Sequence, residues 1–168
     1  MNSKLTIRAA RREDSALILQ FIRELAEYER LLHEVTATEQ QLAEAIFGPR
    51  PFAEVVIAEW DSEAAGFALF FANFSTFLAS PGMYLEDLFV RPEFRGEGIG
   101  KALLAHLAGI VIRRGWGRLD WSVLDWNRPA IEFYDRIGAR HLDDWLQYRL
   151  DGPALGEVAG FAAPGGNE

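Results

Sequence analysis

The apolar positions change period several times along the chain, and each change marks an element. Residues 4–10 alternate like a strand. Asp14 or Ser15 then offers a cap to a helix that carries Leu17, Phe21, Leu25, Tyr28 and Leu32 at helical spacing. A second, short helix is expected after Thr36 or Thr38 and ends at Gly48-Pro49. Residues 52–60 and 65–74 read as two strands joined near 61–64, and 83–90 as a third. Past the break at Arg91-Pro92, residues 99–114 put Leu103, Leu104, Leu107, Ile110 and Val111 on one side of a long helix, which Gly115 and Gly117 end. Residues 119–124 read as a strand, 129–137 as a short helix closed by Gly138, and 141–150 as a last strand. Beyond Asp151, glycines and prolines with little apolar periodicity predict a mobile tail.

The order β-α-α-β-β-β-α-β-α-β predicts an α/β (α+β) protein with one mixed sheet and helices on its faces. With about 150 residues per domain, 168 residues make one domain, 1–150, followed by the tail 151–168. A chain of this size buries roughly 70% of its extended surface, enough to fold without staples. It has no cysteine, which excludes disulfides, thiolate metal sites and an acyl-cysteine intermediate, and suits a reducing compartment. The N-terminus has no signal-peptide core and no apolar run approaches the length of a membrane span, so a cytoplasmic protein with no membrane partner is expected. His33, His106 and His141 are not at metal-ligand spacing, and no metal is expected.

The formal net charge is −8, which argues against nucleic acid as a partner. Its distribution says more. Residues 1–82 hold 7 basic and 12 acidic side chains, residues 83–140 hold 9 and 8, and residues 141–168 hold 1 and 5. Only the middle lacks an acidic excess.

That middle contains Arg95-Gly96-Glu97-Gly98-Ile99-Gly100-Lys101, set between a strand and a long helix. Glycines there permit positive φ and let backbone N–H groups approach a ligand, and the helix dipole adds positive potential, so the stretch is a candidate anion site. A dinucleotide loop needs G-x-G-x-x-G directly after the strand, but here the third glycine comes one residue early and residues 91–94 intervene. A Walker loop needs four residues between its glycines and Ser or Thr after the Lys. Three separate Gly96 from Gly100, and Ala102 follows Lys101. A glycine-rich helix start that binds nothing leaves three alternating glycines without a packing reason.

Arg-x-x-Gly-x-Gly opening a helix after a strand resembles the pyrophosphate loop of the GNAT acyl-CoA N-acetyltransferase superfamily. The resemblance covers about 140 residues: Glu24-Leu25-Ala26-Glu27-Tyr28-Glu29, then residues 84–90 (YLEDLFV), the loop, Trp126-Asn127, and Phe133-Tyr134 with Gly138-Ala139. This ordered set is similar to the spermidine/spermine (diamine) N-acetyltransferase branch. It implies the GNAT fold, a mostly antiparallel mixed sheet with splayed central parallel strands, and a homodimer. The resemblance also implies acetyl-CoA as co-substrate. Leu88, Phe89 and Val90, the loop from Arg95 to Lys101, and Asn127, Pro129, Ala130 and Tyr134 are the implied cofactor contacts.

Acetyl transfer to an amine needs a neutral nucleophile, a polarised thioester carbonyl and a proton for the leaving thiolate. A free alkylamine, pKa near 10.4, is almost wholly protonated at pH 7, so a base or water relay must take its proton. By resemblance Glu86 is that base, directly or through water. Side chains alternate along a strand, so Glu86 and Asp87 are expected on opposite faces, with Glu86 in the cleft. On residue pattern alone Glu86 also reads as a strand-edge carboxylate, and Phe133 and Tyr134 as packing aromatics. The resemblance makes Tyr134 the acid for the thiolate. Backbone donors near 88–90 would polarise the carbonyl, and without cysteine the transfer would be direct.

On the amine side, Tyr28 and Glu29 match the branch's polyamine contacts, where a ring and a carboxylate suit a cation. Trp121 and Asp144 are further candidates, and Glu86 would also touch the amine. Where the polyamine enzymes carry Asp-Pro-Trp, this chain has Ser75-Thr76-Phe77, which removes one acidic contact and leaves room for a smaller, lysine-like or thialysine-like amine. The reading is acetyl transfer to a small cationic amine, the near-neutral middle holding the anionic cofactor and the acidic flanks drawing the cation. A GNAT enzyme acting on a protein lysine or N-terminus, a non-catalytic acyl-CoA sensor and a nucleotide-binding switch are its alternatives.

Overall fold

The computed structural model describes residues 4–161. β1 (Leu5–Ala9), β2 (Glu54–Trp60), β3 (Glu63–Ser75) and β4 (Ser80–Val90) form an antiparallel meander, and β5 (Leu119–Trp121) adds parallel to β4. The strand order is β1-β2-β3-β4-β5. The helices are α1 (Ser15–Tyr28), α2 (Glu39–Phe47) and α3 (Ile99–Arg113), with α4 (Arg128–Arg136) and α5 (Gly152–Ala159) beyond the sheet in sequence. Contacts divide the chain into two units, one through Ser122 and one from Val123 onward. Among the described residues, no helix is long and apolar enough to cross a membrane.

In the first unit the sheet is covered on both faces. Ile18 and Phe21 of α1 and Ile46 of α2 bury against Val55, Ile57, Phe67 and Phe89. Phe21 stacks on Phe67 at 5.2 Å and meets Phe89 edge-on at 6.4 Å, the two favoured aromatic geometries. On the other face α3 buries Ile99, Leu103, Leu107 and Val111. A Cβ on Gly100 would sit 3.9 Å from both Leu88 and Val90, which places those two side chains on the α3 face. Alternation then puts Phe89, and with it Asp87, on the α1 face.

Polar contacts fix the ends of these elements. Thr38 caps α2 reciprocally with Gln41, as a capping box requires. Arg91, just past β4, donates two hydrogen bonds to Glu24 of α1, both 2.9 Å, and lies over the Phe21 ring at 4.7 Å. The end of β4 is thereby tied to α1.

Four expectations require correction. α1 stops at Tyr28 because Arg30 adopts φ 62° and turns the chain, so Leu32 falls in a 3-10 turn instead of on the helix face. β5 ends at Trp121, since its pairing with β4 stops at Leu85. Residues 141–150 form no strand, and Trp145, Leu146 and Tyr148 stand exposed. The second unit contains no strand among its described residues, and an isolated strand cannot satisfy its own backbone. Residues 152–159, expected within the mobile tail, form α5 with Pro153 in its first turn, where a missing N–H costs nothing. The remainder of that expected tail, 162–168, lies outside the described residues.

Candidate active site

β4 carries the decisive irregularity. Leu69 of β3 stands opposite Asp87 and the next residue, Phe70, opposite Leu85, so Glu86 is an extra, bulged residue. The parallel pairing to β5 ends at Leu85↔Trp121, one residue before the bulge. Residues 86–90 therefore have no β5 partner, and the backbone groups that point to that side, those of Leu88 and Val90 among them, have no strand across from them. This is a splay of two parallel strands with an exposed backbone edge.

The bulge takes Glu86 out of the simple alternation on which opposite faces for Glu86 and Asp87 were expected. Alternation fails where one residue is inserted. Asp87 pairs with Leu69, which packs against the α1-side core, so the Asp87 carboxyl lies on the α1 face. Burial, then the negative charges of Glu86 and Glu29, push it up to about 7. Burial likewise raises Glu29. Among the described residues Asp87 makes no ion pair. Three carboxylates are thus brought together, of which sequence reasoning singled out two and missed the most buried. Its one legible signal was an Asp inside the apolar run Leu85 to Val90, where an uncompensated carboxylate is costly.

At the far end of β4 the chain passes through a 3-10 turn (Pro92–Phe94) into the glycine loop. Gly96 and Gly98 have φ 89° and 81°, and a Cβ on either would meet nothing within 4 Å. Ala102 N–H is the first to close onto the helix, donating to Gly98 O at 3.0 Å. The amides of Ile99, Gly100 and Lys101 accordingly have no intrahelical acceptor, and with Glu97 and Lys101 exposed the loop forms an open cradle of N–H donors at the positive end of α3.

Arg95 departs from this cradle. Its Nε donates to Val90 O at 3.0 Å, and its guanidinium lies over the Tyr28 ring at 4.9 Å and near that of Phe89 at 5.8 Å. The side chain therefore turns to the α1 side. Trp121 ends β5 opposite Leu85, half-buried. Next to it the Tyr84 and Ser122 hydroxyls share a hydrogen bond of 2.8 Å.

The remaining candidates belong to the second unit. Asn127 caps α4, its side-chain oxygen accepting from Ala130 N at 3.4 Å, and Pro129 occupies the first turn. Tyr134 packs its ring beside Phe133 at 5.5 Å. Burial pushes its phenol above the ordinary value, so it stays protonated at neutral pH. Asp144 is exposed in a turn.

The acetyltransferase (GNAT) family model matches residues 18–139, which span the bulge, the splay and the glycine loop. The chain belongs to the GNAT acetyltransferase family. It is 37% identical over 165 residues to a thialysine N-epsilon-acetyltransferase of Mus musculus, covering 92% of this chain and 96% of that one. It is 34% identical to an L-ornithine N5-acetyltransferase of Arabidopsis thaliana, covering 89% and 85%. Among solved structures, an integron cassette protein of V. cholerae superposes with a TM-score of 0.79 at 31% identity, covering 94% of this chain and 99% of that one. The protein is thus an acetyltransferase with the GNAT fold, as the order of its motifs implied.

Proposed function

We propose that this GNAT enzyme transfers acetyl from acetyl-CoA directly to a primary amine of a small diamine, polyamine or lysine-like cation. The observation that carries the reading is the sequence of features along β4: a cluster of carboxylates at the bulge, then the open backbone edge, then the glycine cradle. A cation and an anion are offered neighbouring places, and the bond to be formed lies between them.

Acetyl-CoA fits the anion side. The open space over Gly96 and Gly98 admits a phosphate against the amides of Ile99, Gly100 and Lys101, and the free edge at 88–90 offers N–H donors to amides and to the thioester oxygen. Asn127, Pro129 and Ala130 at the start of α4 complete the cofactor contacts of this reading. On the amine side Glu86, Asp87 and Glu29 attract the ammonium and Tyr28 flanks it, with Trp121 and Asp144 as outer contacts. A carboxylate at the bulge, directly or through water, accepts the ammonium proton, the neutral amine attacks the carbonyl, and the C–S bond breaks as the Tyr134 phenol gives its proton to the thiolate. The chain has no cysteine to carry the acetyl group, so one direct step suffices. The same reading makes the protein a cytoplasmic homodimer, in keeping with its family and its lack of thiols, with residues 1–150 as the catalytic domain.

Thiol release from acetyl-CoA, assayed with spermidine, putrescine, lysine and thialysine, tests the proposal. At least one of these amines is expected to release CoA thiol well above the no-amine rate. CoA binding by calorimetry with no release for any amine would instead identify an acyl-CoA sensor. Tyr134→Phe keeps the ring packing and removes the proton. It should lower kcat by about 10²–10³ with the acetyl-CoA KM little changed, as loss of an acid acting only in the transition state requires. An unaltered kcat would remove Tyr134 from the mechanism.

A further inference from the structure

All three guanidinium nitrogens of Arg91, one residue past β4, are engaged. Nε and Nη2 donate to the two carboxylate oxygens of Glu24, both at 2.9 Å, Nη1 donates to Ala64 O at 2.9 Å, and the plane lies over the Phe21 ring. The Arg91 backbone N–H donates to Ala65 O at 2.9 Å. One residue thus joins β3, β4 and α1, and the paired bonds to a carboxylate fix direction as well as distance. Apolar packing anchors α1 at Ile18 and Phe21. Further along the helix, Glu24, Glu27 and Tyr28 line a cavity of about 440 Å³ together with Phe89, Arg91 and Arg95. On this side of the helix a polar pair, and not close packing, therefore sets the separation from the strand end. Glu24 and Tyr28 are four residues apart and share one helix face, and Glu29 follows at the helix end.

Resting on the proposed transfer of acetyl to a small amine, we infer that Arg91 and Glu24 are positioning residues for that reaction: they hold the last turn of α1, with its amine contacts Tyr28 and Glu29, in register with the carboxylates at the β4 bulge. Neither touches a reacting atom. They act through spacing, since an ammonium shared by Glu29 and Asp87 is presented correctly only while helix and strand keep their distance. The same spacing bears on the Asp87 proton. Asp87 feels the negative charge of Glu86 on its own strand and of Glu29 from α1, added to its burial. Loosening the helix end withdraws Glu29 and admits water, and both changes favour the ionised carboxylate.

The test uses Glu24→Gln, which keeps the side-chain shape and one acceptor oxygen, and Arg91→Lys, which keeps the charge but not the fork. Both leave the apolar anchors of α1 in place, and circular dichroism should show folded proteins. With an amine that the thiol-release panel identifies, each variant should raise the amine KM about tenfold while calorimetric acetyl-CoA affinity changes by less than about twofold. The pH at which the rate rises should move below that of the native enzyme. The double variant should be no worse than the poorer single one, because both substitutions break the same pair. Native amine KM and a native pH profile in both folded variants would overturn the inference. So would equal losses of amine and acetyl-CoA affinity, the mark of a general weakening of the fold. If the native enzyme releases thiol with no amine, the acetylation reading falls and the inference with it; if it turns over and the variants match it, only the positioning role falls.

Discussion

Gly98→Val is expected to leave a folded protein that no longer binds acetyl-CoA. Gly98 caps α3 at φ 81°, a left-handed conformation that costs an L-residue roughly 1–2 kcal/mol. Apart from its chain neighbours, no atom of the described residues lies within 4 Å of the position its Cβ would take, so the new side chain starts into open space. The core on both sheet faces is untouched, and melting should fall by only a few degrees. The branched side chain would instead project into the open space over the Ile99, Gly100 and Lys101 amides, where the anion is proposed to sit. Affinity for acetyl-CoA should drop at least about 100-fold, or about 2.7 kcal/mol. Gly98→Ala adds the backbone strain without the branches and should lie between. Calorimetric titration beside a circular-dichroism melt reads both quantities. Native-like affinity in the valine variant would show that this cradle is not the cofactor site.

The elements legible in the sequence are those whose evidence is local. The meander of β1 to β4 shows its alternation, Thr38 and Gln41 announce the start of α2, and α3 has both an apolar stripe and a glycine stop. The cradle was legible for the same reason, since positive φ at Gly96 and Gly98 is a local requirement met by residue type. What stayed hidden depends on partners distant in sequence. Residues 141–150 alternate like a strand, yet alternation cannot supply the neighbouring ladder that makes one. The bulge at Glu86 is defined by the register of β3, and nothing in residues 84–90 alone marks which residue is the extra one. Because of that single insertion, Asp87 rather than Glu86 becomes the buried carboxylate. The Arg95 contacts were hidden for the same reason, since the Tyr28 ring under its guanidinium belongs to α1, far away in sequence.

Asp87→Asn should therefore have the larger effect of the two bulge carboxylates. With its carboxyl near 7, Asp87 is a base matched to neutral pH, strong enough to take a proton and still half-ionised to do so. The native rate should rise with pH through about 7 as this group ionises. Asp87→Asn should lose about 10²–10³ in kcat and, with it, that acid limb. Stability should move the other way. Below pH 3.8 the carboxyl is protonated in both folded and unfolded chains and costs nothing. Between 3.8 and about 7 the unfolded chain releases a proton that the folded protein retains, so the penalty grows with pH and is complete above 7. The asparagine variant escapes it and should melt a few degrees higher than the native protein at pH 8, with the gap closing toward pH 4. Glu29→Gln removes one of the charges that raise Asp87 and should shift the acid limb to lower pH. Should Glu86→Gln abolish the limb while Asp87→Asn preserves it, the proton acceptor is the bulged residue and Asp87 only binds the cation.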